Sequence, residues 1–122
     1  MRAGRRADQG SATVFAAAIS VVLVMAAAAA LVVTAVVLAT HRARNAADLA
    51  ALAGATAVIS GGDGCSAAKD SARTNGAAVR TCDVSGDTSS FVVTVTVTAP
   101  TGLKAPLPVT SGAAAHAGNA EG

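Results

Sequence analysis

The sequence predicts an α+β protein. A long N-terminal membrane-spanning helix continues as an amphipathic helix, and a small exported domain with a short helix and an antiparallel β-hairpin follows. Three observations predict this. Residues Ala12 to Ala39 carry no charge, and their only polar members are Thr13, Ser20 and Thr34. Residues 41–60 contain no proline and are rich in alanine and leucine, both good helix formers. Residues Phe91 to Thr98, FVVTVTVT, alternate at a period of two, as a half-buried strand does.

The apolar run comes first. A bilayer core about 30 Å thick takes roughly 20 apolar residues in helix. The 28 residues from Ala12 to Ala39 reach roughly 42 Å at about 1.5 Å per residue, so they span with length to spare. Phe15, Ile19, three leucines and eight valines carry most of the drive. At about −0.3 to −0.6 kcal/mol each near the helix centre, they sum to roughly −4 to −8 kcal/mol, adequate for insertion. Burying the same helix in a soluble core needs more protein than 122 residues supply. Ala16 with Ser20, and Ala26 with Ala30, form small-xxx-small pairs of the kind that let membrane helices approach closely.

The net charge of +2 sits at the N-terminus. Arg2, Arg5 and Arg6 stand against Asp8 before the run, whereas six Lys/Arg balance six Asp/Glu after residue 40. The distal part has no basic face for nucleic acid. Arg42 and Arg44 flank the far side of the run, so the arginine asymmetry predicts a cytoplasmic N-terminus and an extracytoplasmic C-terminal domain. The alternative is a secretory signal cut within Ala26 to Ala30, releasing a small secreted protein that acts as a binding module. Against it, Leu31 to Ala39 extends the apolar run well past any such site.

Beyond Ala39 the helix is expected to continue to about Ser60, with Gly61-Gly62 as its stop. Leu49, Leu52, Ala53, Thr56 and Ile59 recur at spacings of three and four and form a narrow apolar stripe. The stripe belongs either to a short surface helix or to a long spine built to pack beside other helices. Ser66 is the expected N-cap of a short helix, with Lys69 to Thr74 helical and Asn75-Gly76 at its C-terminus. Val79 to Val84 reads as a first strand and Phe91 to Thr98 as a second, with Phe91, Val93, Val95 and Val97 sharing one face. A third strand is placed near Leu107 to Thr110, and the last ten residues read as loose. The expected organisation is therefore a basic tail at 1–10, a long helix at 11–60, a small domain at 61–100 and a Pro/Ala/Gly-rich loose tail at 101–122.

Cys65 and Cys82 are the only cysteines, with neither a CxxC nor the four closely spaced ligands of a zinc site. In an exported domain the simplest reading is a disulfide; the alternative is two buried free thiols. The bridge would tie the short helix to the first strand and contribute about 3 kcal/mol in the chain-entropy picture. With no Trp or Tyr in the chain, that is a large share of the domain's stability. His41 and His116 have no carboxylate or cysteine placed to orient them. No GxSxG, GxGxxG or GxxxxGK[ST] pattern occurs, and no carboxylate pair suggests acid–base work. The residues argue for a protein without catalytic site, cofactor, metal or small-molecule substrate.

RRADQGSATVFAAAI, the apolar run, HRARNAADLAALAGA, and a C-x16-C spacing with NGAAV before the second cysteine together resemble TadE-like pseudopilins. These are small membrane proteins of tight-adherence (Flp) pilus and secretion loci. The nearest likeness is to the actinobacterial branch encoded beside a secretion ATPase and a helicase. The resemblance covers about residues 5 to 98, and HRARNAADLAALAGA is its most specific stretch. It implies a membrane anchor, an exported remainder, and other Tad/Flp-type subunits as partners. It also implies a prepilin peptidase cutting between Gly10 and Ser11. The chain departs from the pattern at Phe15, where such prepilins carry a glutamate five residues after the cleavage glycine.

Overall fold

The computed structural model describes residues 4–87, 89–102 and 110–119, with side chains from residue 10 onward. Two helices, α1 (Gly4–Ile59) and α2 (Gly64–Thr74), precede three strands, β1 (Ala78–Gly86), β2 (Phe91–Pro100) and β3 (Thr110–Gly118). The chain divides into two units, residues 1–34 and 35–122.

In the first unit the described residues are all helical, and every described side chain is exposed. Helix α1 is long and apolar enough to cross a membrane, and none of its most apolar window is buried within the protein. The hydroxyls of Ser20 and Thr34 donate to the carbonyls of Ala16 and Ala30, each at 2.9 Å. Such back-bonding satisfies hydroxyls inside the helix, as a hydrocarbon surround demands.

The second unit is built on the rest of α1. Its buried face is made of alanine: Ala39, Ala43, Ala46, Ala47, Ala50, Ala51 and Ala55, with Gly54 among them. A face this small brings the helix backbone close to the sheet. The side chains it meets are those of β2, where Phe91, Val93, Val95, Val97 and Ala99 are all buried. The period-two alternation read from the sequence thus places its predicted face inside. Thr40 fastens the start of this region, its Oγ1 lying 2.9 Å from Val36 O and 3.2 Å from Ser111 Oγ of β3.

Helix α1 stops as the sequence signals. Gly61 takes φ +77°, and the Gly62 and Gly61 amides donate to Ala57 O at 2.8 Å and Val58 O at 3.0 Å. That paired 6→1 and 5→2 bonding is a Schellman C-cap. Helix α2 ends the same way at Asn75-Gly76, with Ala77 N donating to Ala72 O and Gly76 N to Arg73 O. Its start differs from the expectation. Asp63, not Ser66, is the N-cap, because its carboxylate accepts the Ser66 amide at 3.1 Å. Ser66 is the third helical residue, and a carboxylate at the cap also suits the positive end of the helix.

The sheet is antiparallel in the order β1-β2-β3, so the expected hairpin has a third strand added to it. Strand β1 carries an irregularity between Val79 and Thr81 that makes room for Arg80. Strand β3 corrects the reading of 101–122 as a loose tail: Thr110 to Gly118 pairs along β2 from Pro100↔Thr110 to Val92↔Gly118. Of the third strand expected near Leu107 to Thr110, residues 107–109 lie outside the described residues. The misreading has a physical cause. TSGAAAHAG has almost no β-branched or aromatic content. Its strand conformation comes from backbone pairing with β2. Its alanines at 113, 115 and 117 suit the limited space beside an alanine-faced helix.

Both cysteines are bonded. Cys65 in α2 and Cys82 in β1 are joined with S–S 2.00 Å and Cα–Cα 5.8 Å, across a sequence separation of 17. The bridge links the helix and strand that the sequence reading named.

Candidate helix-packing surface

Within the second unit α1 has two faces of opposite use. The alanine face builds the core. Large apolar side chains lie on the other face: Leu49 is 46% exposed, Leu52 59% and Ile59 73%. Thr56 is exposed between them, and Ala53 is half-buried at the edge. All five members of the predicted stripe therefore fall on one side of the helix, away from the protein's own sheet. Leucines are the natural choice for a core, yet here alanines fill it and leucines face outward. The physical reading is that closeness to the sheet sets the inner face, leaving the outer face free for something else.

A shallow open groove of about 560 Å³ runs beside this stripe. Leu49, Leu52, Ala53, Thr56, Ala57 and Ser60 of α1 form one wall, and Ser71 and Asn75 of α2 form the other. Asn75 is held in place by its side-chain amide, which donates to Ser71 O at 2.8 Å. The groove is apolar along its floor, has hydroxyl and amide groups on its rim, and is elongated along a helix. It suits an apolar helix rather than a small molecule.

Sequence reasoning identified the stripe but not its second wall, since nothing in SAAKDSARTN announces which turn of α2 lies beside Thr56. Towards the apolar run, His41, Arg42 and Arg44 are exposed. His116 lies on β3, its Nδ1 2.9 Å from Thr94 Oγ1, on the sheet face away from the core. Among the described residues no three His, Cys, Asp or Glu side chains gather at one point. Gly10 and Ser11 lie on α1 with exposed surfaces, and a Cβ at Gly10 would meet nothing within 4 Å.

A family model described as putative Flp pilus-assembly TadE/G-like matches residues 10–57. The matched stretch covers the apolar run and the α1 turns that carry Leu49, Leu52, Ala53 and Thr56. No curated protein and no solved structure matches the chain.

Proposed function

We propose that the chain, which is similar to TadE/G-like proteins over residues 10–57, is a non-catalytic, single-pass membrane component of a Flp-type pilus or secretion apparatus. It works through helix contacts made by the outer face of α1. One observation carries the proposal: Leu49, Leu52 and Ile59 are exposed on a helix whose opposite face is fully occupied by its own domain. The family match supports other Tad/Flp-type subunits as the partners, and the HRARNAADLAALAGA motif supports the actinobacterial secretion-linked branch. The arginines at 2, 5 and 6 support a cytoplasmic N-terminus with the disulfide-bonded unit outside. The disulfide fits an oxidising compartment. A prepilin-type peptidase acting between Gly10 and Ser11 belongs to the same proposal, with Phe15 in place of the usual glutamate.

Glutamate at Leu49 and Leu52 tests it. Both side chains are exposed, so Leu49→Glu with Leu52→Glu leaves the core and the apolar run intact while placing charge on the contact face. The variant should reach the membrane and form the Cys65–Cys82 bond, yet lose crosslinks to its partners in the native host. Unchanged crosslinking in a folded, inserted variant would refute contact through this face.

A further inference from the structure

The outer face of α1 has a period of its own. Leu38, Arg42, Asn45, Leu49, Leu52, Thr56 and Ile59 follow one another at steps of four, three, four, three, four and three. All seven are exposed. The mean step is 3.5 residues, the repeat of a coiled-coil seam, in which alternate members occupy the a and d positions. In a heptad with Arg42, Leu49 and Thr56 at a, the d positions are Leu38, Asn45, Leu52 and Ile59. The same steps reach back in the sequence through Leu31 and Val24. The buried face is centred on the other side of the heptad, with Ala43 and Ala50 at b, Ala51 at c, and Ala47 and Gly54 at f, and it reaches the flanks of the seam at Ala39 and Ala46 (e) and Ala55 (g). A helix that only covers its own core needs one apolar face. This one has a second, narrower face opposite the first.

Resting on the helix-packing reading above, we infer that the partner on this seam is a second copy of the chain, paired in parallel and in register as a two-stranded coiled coil. Three features select that occupant. A seam with a 3.5-residue period is matched by a helix of the same period, and an identical copy supplies it layer for layer. Copies inserted by the same apolar run in the same sense lie parallel, which sets Leu49 against Leu49, Leu52 against Leu52 and Ile59 against Ile59. Asn45 then meets Asn45, and a carboxamide, carrying both donors and acceptors, is satisfied by its own kind next to the Leu49 and Leu52 layers. Such a polar layer fixes register at some cost in stability. Arg42, one turn nearer the apolar run, has a stem long enough to carry its guanidinium out of the seam into water. The protein's own core is centred on the b, c and f side and reaches the e and g flanks only at small alanines, leaving the a and d side chains exposed, and Ser71 and Asn75 border the trough in which the second helix lies.

Site-directed disulfides test the pairing, because the two natural cysteines are bonded and leave no free thiol. Single variants Leu49→Cys, Leu52→Cys and Thr56→Cys lie on the seam, and Arg44→Cys is an exposed position off it. Each is made in the full chain in native membranes, oxidised with copper phenanthroline, and resolved without reductant, with mass spectrometry confirming the Cys65–Cys82 bond. The seam variants should form homodimers, with the off-seam variant at least ~10-fold less, since only a and d positions approach their counterparts closely. Equal dimer yield at all four positions overturns the pairing. Adducts to a different protein, without homodimer, overturn self-pairing but leave helix packing standing. No adduct at any seam position overturns both.

Discussion

Gly54 of α1 and Gly64 of α2 face each other at the crossing of their helices. A Cβ on Gly54 would lie 2.9 Å from the Gly64 carbonyl oxygen, and a Cβ on Gly64 would lie 3.0 Å from the Gly54 carbonyl oxygen. The first would also come within 3.0 Å of Val93 Cγ1, and the second within 2.7 Å of Val58 Cγ2. Both glycines are present for closeness, since neither takes a positive φ. Their contact sets α2 against the sheet and so fixes the second wall of the groove.

Gly54→Ala should therefore destabilise the second unit. The obstacles are a backbone carbonyl and a fully buried valine, so overpacking should cost about 1–3 kcal/mol. At about 4–8 °C per kcal/mol for a domain of this size, thermal melting of the detergent-solubilised chain reads the change directly. Gly112→Ala, where a Cβ finds nothing closer than 3.6 Å, is the control and should leave the melting temperature in place.

Asn119 closes the far end of the sheet. Its Oδ1 accepts the Phe91 amide at 2.9 Å, its own amide donates to Phe91 O at 3.1 Å, and its Nδ2 donates to Ser89 O at 3.0 Å. Asn119→Ala removes the two side-chain bonds and keeps the backbone one. At about 0.5–1.5 kcal/mol per bond, the loss should be about 1–3 kcal/mol. Hydrogen exchange should show it as faster exchange of the Phe91 amide, with the Val95 amide much less affected.

These two contacts also show where the sequence was readable. The apolar run, the glycine stops of both helices and the inner face of β2 were all legible, because each rests on a local rule: transfer to lipid, a left-handed cap, a period of two. The outer stripe was legible for the same reason. Asn119 and β3 were not, because a run of alanine and glycine has no strand preference of its own and becomes a strand only beside β2. The alanine face of α1 was also hidden. In a helix so rich in alanine, nothing local tells which alanines are buried, and only the leucines marked the opposite side. Asp63 outcompeted Ser66 as a cap because the chain turns one residue before Gly64, and the propensities of the two residue types are too similar to separate them.

The turn between β1 and β2 should respond to pH. Asp87 Oδ1 accepts the Ser89 hydroxyl at 2.6 Å, the Ser89 amide at 2.8 Å and the Ser90 amide at 2.9 Å. The Ser89 hydroxyl, and after it the Ser89 and Ser90 amides, hold the Asp87 carboxyl below its usual pKa. A carboxylate whose folded pKa is depressed adds stability above its unfolded pKa and loses it as pH falls through the folded one. The turn should therefore be intact at neutral pH and loosen only on strong acidification. An NMR titration should show Asp87 protonating below an ordinary aspartate, with the Ser89 and Ser90 amides shifting together with it. Asp87→Asn should remove that pH dependence.

The Cys65–Cys82 bond should matter most to α2. That helix buries only Gly64, Ala68 and Ala72, so little apolar area holds it down. Its fixed points are the Asp63 cap, the contact at Gly54 and the disulfide into β1. Replacing both cysteines with alanine should cost about 2–4 kcal/mol, much of it through the freer unfolded chain. The loss should also be uneven. Strand β2 keeps its pairing on both sides and its valines under α1, whereas α2 loses its one covalent tie. Native-state hydrogen exchange should find α2 amides exchanging well before those of Val93, Val95 and Val97. Because Ser71 and Asn75 wall the groove, the double variant should also crosslink more weakly through that face while still inserting in the membrane. If α2 and β2 instead lose protection together, the disulfide holds the whole unit rather than the wall of the proposed contact surface.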